Sequence, residues 1–182
     1  MKIVNARPYE KEIQEKFWEC WWNPQYQYYF GGQYRQDWVC RSTINNCARD
    51  FAVLDNEDNL IGVINYEFYP DVKLARDFGF INFYNNFKSK LIMGKALLQV
   101  VHDCFFKFGL STIEFNVICG NPIEKKYDKL IDKYGGRILC QRRNRAILLD
   151  GTVADDKMYE LTKEDYLRSV GRRLSGSAKG DY

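Results

Sequence analysis

The sequence predicts a single α/β domain, on three observations. Apolar residues recur at helical spacing in three stretches, with polar residues gathered on the opposite side of each. Runs of β-branched and aromatic residues, punctuated by Asp, Asn, Pro and Gly, alternate with those stretches and read as strands. At 182 residues, 46% hydrophobic and 28% charged, the chain can build one substantial core and has the composition of an ordered domain. That domain is expected over residues 1–167, followed by a flexible tail over 168–182 where Ser175, Gly176, Ser177 and Gly180 fall.

Lys2 to Ala6 predicts a short first strand, and Pro8 fits a helix start, where a backbone N–H is not needed. From Tyr9 to Trp22, Ile13, Phe17, Cys20 and Trp21 share one helical face, and Asn23-Pro24 stops the helix. Tyr26, Tyr28, Tyr29, Phe30, Tyr34 and Trp38 then surround Gly31-Gly32. Such a row of aromatics either lines an acceptor pocket, stacks on bases or caps the core from a loop. Three strands in a meander follow: Phe51 to Leu54, Leu60 to Tyr69, and Ala75 to Phe83, with Gly79 expected at a bulge or a close approach.

A second helix is predicted from about Met93 to Lys107, burying Leu97, Val100, Val101, Cys104 and Phe108 and ending at Gly109. Ile113 to Cys119 reads as a strand. Asn121-Pro122-Ile123-Glu124 is a specific helix start: Asn121 can cap, Pro122 suits the first position and Glu124 can close a capping box. That helix shows Tyr127, Leu130, Ile131 and Tyr134 on its apolar face and ends at Gly135-Gly136. Arg137 to Leu149 and Lys157 to Leu161 close the domain as an antiparallel pair.

A net charge of +3 is too small to argue for nucleic acid by itself. No run is long enough to span a bilayer, and the N-terminus lacks the apolar core of a secretory signal, so a cytoplasmic protein is expected. Cys20, Cys40, Cys47, Cys104, Cys119 and Cys140 form no C-x-x-C pair, and His102 is the one histidine. Buried, reduced thiols and no metal site are therefore expected, with His102 on the surface.

The chemistry concentrates between Asn85 and Lys95. Three lysines, Lys88, Lys90 and Lys95, together with Ser89, Met93 and Gly94, stand where an apolar helix begins. Free backbone N–H groups, the positive end of a helix dipole and basic side chains at one spot suit a phosphate.

The order of elements around this loop resembles the acyl-CoA-binding core of the GNAT superfamily of N-acyltransferases. The most specific matches are Gly94-Lys95-Ala96-Leu97-Leu98 and the Asn121-led helix ending in Gly135-Gly136. The resemblance covers Lys2 to Leu161 and implies a mixed, mostly antiparallel central sheet flanked by helices. It implies acetyl-CoA or another acyl-CoA as co-substrate, with Asn82, Phe83 and Tyr84 meeting the pantetheine arm and the loop meeting the pyrophosphate. The family's loop pattern, [RQ]-x-x-G-x-[GA], is not kept: aligned on Gly94, Ser89 takes the Arg/Gln position and Ile92 the middle glycine. Direct transfer to a primary amine on a small molecule, peptide or nucleic acid is the implied reaction. Tyr127 is then the candidate acid for the departing thiolate, and Glu67 or Asp77 the candidate base. Two other readings stay open: a GNAT-fold binding module without catalysis, and nucleic-acid binding through the aromatic segment with Arg142, Arg143 and Arg145. A homodimer is compatible with each.

Overall fold

One seven-stranded sheet organises the chain. Its strands are β1 (Lys2–Asn5), β2 (Ala48–Leu54), β3 (Leu60–Tyr69), β4 (Leu74–Asn82), β5 (Thr112–Ile118), β6 (Arg137–Ile147) and β7 (Val153–Thr162). They lie in the order β1-β2-β3-β4-β5-β7-β6, antiparallel throughout except at β4–β5. The helices are α1 (Glu10–Trp21), α2 (Phe87–Phe106) and α3 (Glu124–Tyr134), with a further helical segment over 163–169. This is a computed structural model, and it describes residues 1–21, 23, 26, 28, 40, 41, 46–148 and 150–169.

Strand alternation gives the sheet two apolar faces, each with its own cover. Ile13, Phe17 and Cys20 of α1 pack on Ala52, Leu54, Leu60 and Val63. On the other face, Met93, Ala96, Val100 and Phe105 of α2 and Ile131 of α3 pack on Ile64, Tyr66, Phe78, Phe115 and Tyr159. Tyr66 stacks on Phe78 with centroids 5.7 Å apart, and Phe115 on Tyr159 at 5.0 Å.

The strands β4 and β5 begin as a parallel pair and then part. They pair only at Leu74↔Thr112 and Ala75↔Ile113, although β4 runs on to Asn82 and β5 to Ile118. A bulge lies where they separate. Asn65 pairs with Gly79 and Glu67 with Arg76, so Asp77 and Phe78 together face the single residue Tyr66. Asp77 takes φ +50°, a left-handed conformation uncommon outside glycine. Such an extra residue bends its strand and ends the ladder beside it.

The sequence placed every strand within a few residues, including β3 to the residue. Gly79 is not the bulged residue; the bulge falls two positions earlier. The second helix starts at Phe87 rather than Met93, because Asn86 supplies a side-chain cap that the apolar periodicity does not register. Phe108 is 41% exposed instead of buried, since the helix ends at Phe106. Cys20, Cys40 and Cys104 are buried, but Cys47 and Cys119 are half-buried and Cys140 is exposed on β6. The 163–169 helix had no counterpart in the sequence reading. Trp22, Pro24, Tyr29, Phe30, Gly31, Gly32, Tyr34, Trp38, Leu149 and the tail beyond residue 169 lie outside the described residues.

Gly62 is closely flanked by the β4 backbone and by Met93 of α2. A Cβ there would stand 2.2 Å from the Ile81 carbonyl oxygen and 2.9 Å from Met93 Sδ. Backbone cannot yield as a side-chain tip can, so Gly62→Ala is expected to destabilise the fold by about 1–3 kcal/mol, the usual range for overpacking. An unchanged urea midpoint would contradict this packing.

Candidate active site

Beyond Ala75 and Ile113, the facing edges of β4 and β5 do not pair with each other, which opens a cleft between two strands inside a continuous sheet. The rest of the site is built around this cleft.

At one end stands the N-terminus of α2. Asn86 is the N-cap, its Oδ1 accepting from Ser89 N at 2.8 Å. Ser89 is buried and its Oγ donates to the Tyr84 carbonyl at 2.9 Å, while Asn82 Nδ2 donates to Ser89 Oγ at 3.3 Å. Asn82 Oδ1 also accepts from Tyr84 N at 3.1 Å. Asn82 and Ser89 thus brace a short connection between β4 and the helix. What the sequence reads as a basic loop is already helix from Phe87 onward. Lys90 and Lys95 are exposed, whereas Met93 is buried against β3 and Phe83 belongs to the core under α1. Gly94 sits within the helix, with open space where a Cβ would stand.

Lys88 Nζ lies 3.4 Å from Asp55, in the turn between β2 and β3. Burial works against the Asp55 charge, but hydrogen bonds from Asn59 and Glu57 N and the Lys88 ammonium hold its pKa down to about 2.

The α3 side contributes Tyr127. Its ring meets Phe80 of β4 at 6.4 Å and Phe115 of β5 at 4.9 Å, both edge-on, so it bridges the parting strands. It also meets Tyr159 edge-on at 5.8 Å. Tyr159 donates to Asp128 Oδ1 at 2.8 Å, and burial, then that carboxylate, push its pKa up. Asn121 does not cap α3 itself. Its Oδ1 accepts from Ile123 N at 3.0 Å, inside a turn closed by Glu124 N to Asn121 O, and Glu124 reaches back to Gly120 N. That turn precedes the helix, so Pro122 stands before its first residue rather than on it.

The opposite face of the cleft is polar. Glu114 and Asn116 alternate with the inward Ile113, Phe115 and Val117 along β5. Arg76 of β4 reaches Glu114 at 3.9 Å across the parting strands. Asp156 of β7 is 3% exposed and accepts from Arg142 Nε at 2.8 Å, from Arg142 Nη2, and from Asn116 Nδ2 at 3.2 Å. Burial opposes its charge, but these donors hold its pKa below the usual carboxylate value. Asp156 in turn raises the pKa of Arg142, and Asp77 lies close enough to add to that effect.

Asp77 is exposed, and makes no hydrogen bond or ion pair among the described residues. Glu67 is committed: it accepts from Tyr69 Oη at 2.6 Å, lies 3.8 Å from Arg41, and stands opposite Arg76 in the ladder. Two residues of the aromatic segment are described. Tyr26 is buried and donates to the Phe83 carbonyl at 3.0 Å, just past β4, while Tyr28 lies against Gly120, just past β5. Tyr26 and Tyr28 therefore touch the two sides of the cleft mouth.

Asn116, Asp156 and the Arg142 pairing were absent from the site as read from sequence. Asp156 shows no signal beyond being one carboxylate of an Asp-Asp pair, because its role depends on the β6–β7 register.

No family model and no curated protein sequence matches the chain. Solved structures do. A spermidine N-acetyltransferase from Vibrio cholerae, in complex with CoA and spermine, is 19% identical over 91% of this chain and 97% of its own, with a TM-score of 0.70. A putative acetyltransferase is 15% identical over 88% and 84%, at 0.63. A dodecameric form of the Vibrio cholerae spermidine N-acetyltransferase aligns over 70% and 71% at 22% identity and 0.58. The chain has the GNAT fold.

Asp55 has a clear consequence for acid stability. A carboxyl whose pKa falls from 3.8 to about 2 on folding adds stability that is present above 3.8 and lost as pH drops through about 2. Asp55→Asn is therefore expected to flatten the loss of Tm across that window. Parallel acid limbs for the two proteins would refute the assignment.

Proposed function

We propose that this protein is an acyl-CoA-dependent N-acyltransferase, most simply an acetyltransferase, that moves the acyl group directly onto a primary amine. The observation that carries the reading is the β4–β5 cleft bridged by the Tyr127 ring. An extended thioester arm needs unpaired strand edges to hydrogen-bond with, and the cleft offers them. The structural neighbours support the same chemistry, since those named above are acetyltransferases and one holds CoA with spermine.

In this reading the open β4 edge around Phe80 to Asn82 takes the pantetheine arm, continuing to Tyr84. The phosphates lie at the α2 N-terminus, near Phe87, Lys88, Ser89 and Lys90 rather than near Met93, Gly94 and Lys95. Asp77 is the base in preference to Glu67, because its carboxylate makes no hydrogen bond or ion pair among the described residues and stands where the strands part. It accepts a proton from the acceptor ammonium. The amine nitrogen then bonds to the thioester carbon, the carbon–sulfur bond breaks, Tyr127 protonates the departing thiolate, and the second proton lost by the nitrogen restores the Tyr127 hydroxyl. No enzyme nucleophile is required, so proximity does much of the work. Asn121 supports the turn that sets the start of α3 and hence the height of Tyr127.

A second reading keeps the fold without the catalysis. It is favoured by the helix start itself, where the Asn86 side chain already occupies the N–H of Ser89 that a phosphate would use.

Calorimetry with acetyl-CoA and turnover with an amine panel separate the two. Acetyl-CoA is expected to bind, and Tyr127→Phe to lower kcat by roughly a hundredfold with little change in that affinity. Binding without turnover in the wild type would favour the second reading. A lower Tm with normal turnover in the variant would make Tyr127 a packing residue.

A further inference from the structure

We propose that Arg142 selects amine acceptors that carry a carboxylate near the amine, an inference that rests on the acyltransferase reading. The geometry of the guanidinium points this way. Asp156, fully enclosed on β7, grips Nε and Nη2 together, and Asn116 braces the same carboxylate from β5. A two-point grip fixes the plane of a guanidinium, which a single contact does not. Nη1 makes no hydrogen bond to the described residues, and the side chain is 36% exposed. One edge of the group is therefore held in a set direction and left open.

The surroundings give that edge its meaning. Arg76 and Glu114 answer each other across the parting strands. Among the described residues near Asp156, Asp77 makes no hydrogen bond or ion pair and Arg142 keeps one edge open beside it, with Arg145 adding a further positive charge. A zwitterion fits such a pair: its ammonium meets Asp77, where its proton is removed, and its carboxylate takes the Arg142 edge. A polycation such as spermine would set one of its charges against Arg142. The backbone is also shaped here. β6 leaves its register between Arg142 and Ala146, with Asn144 at φ +55° and its N–H donating to Asp155 at 3.0 Å. Arg142 is the last paired residue before that bend.

The test uses the full chain with acetyl-CoA and a series of ω-amino acids, from glycine to 6-aminohexanoate, each beside the alkylamine of equal length. At the best-fitting length, kcat/KM is expected to favour the amino acid by about tenfold to a hundredfold, the value of one charge-assisted hydrogen-bonded contact. Arg142→Met should bring the two rates together, and Arg142→Lys should keep only part of the preference, since it keeps the charge and loses the fork. Melting curves for each variant accompany the rates. A wild-type preference for alkylamines or spermine at every length overturns the inference. So does an Arg142→Met protein that loses both acceptors in the same proportion, the mark of a structural role. No transfer to any amine and no acetyl-CoA binding would instead overturn the acyltransferase reading on which this one stands.

Discussion

The site depends on β4 ceasing to pair with β5 after Ala75. A parallel pair buried inside a sheet would normally continue its ladder, because each unpaired backbone group away from water costs free energy. Here a single extra residue in β4 turns the strand aside, and Asp77 adopts a backbone conformation that an L-residue takes at some cost. The strain is local, but its effects are not. It exposes two backbone edges, gives Tyr127 a seat between Phe80 and Phe115, and places a carboxylate at the opening.

The two faces of the sheet divide the work. The face under α2 and α3 is dry and aromatic, with Phe78, Phe115, Tyr127 and Tyr159 packed at stacking or edge-on distances. That packing gives the Tyr127 ring a fixed position. Beyond the apolar patch that α1 covers, the other face carries paired and buried charges, Asp50 and Asp156 among them. The cleft is where those surroundings meet.

Much of this was legible in the chain. The meander, its turns and the two later helices follow from periodicity and punctuation, and Leu60 to Tyr69 was placed to the residue. The apolar face of α3 that carries Tyr127 was legible from its spacing with Leu130, Ile131 and Tyr134 and from Gly135 at its end, although Asn121 lies in the turn before the helix rather than at its cap. The start of α2 was not. Its cap is Asn86, but Lys88, Ser89 and Lys90 interrupt the apolar pattern, so periodicity alone places the helix start at Met93 and its first turns in a loop. The bulge was missed by two residues because glycine is only one way to relax a strand, and Asp77 takes the strained position instead. Asp156 and Arg142 could not be joined from sequence at all, since a cross-strand pair exists only once the register is known.

Amide hydrogen exchange, followed residue by residue with and without acetyl-CoA, tests the central claim most directly. If the parted strands hold the co-substrate, saturating acetyl-CoA will slow exchange along β4 from Phe78 to Asn82, along β5 from Glu114 to Ile118, and at the first turn of α2, and leave β1 and β2 unchanged. Protection at β1 and β2 with none along β4 and β5, or no protection anywhere at millimolar acetyl-CoA, would contradict it.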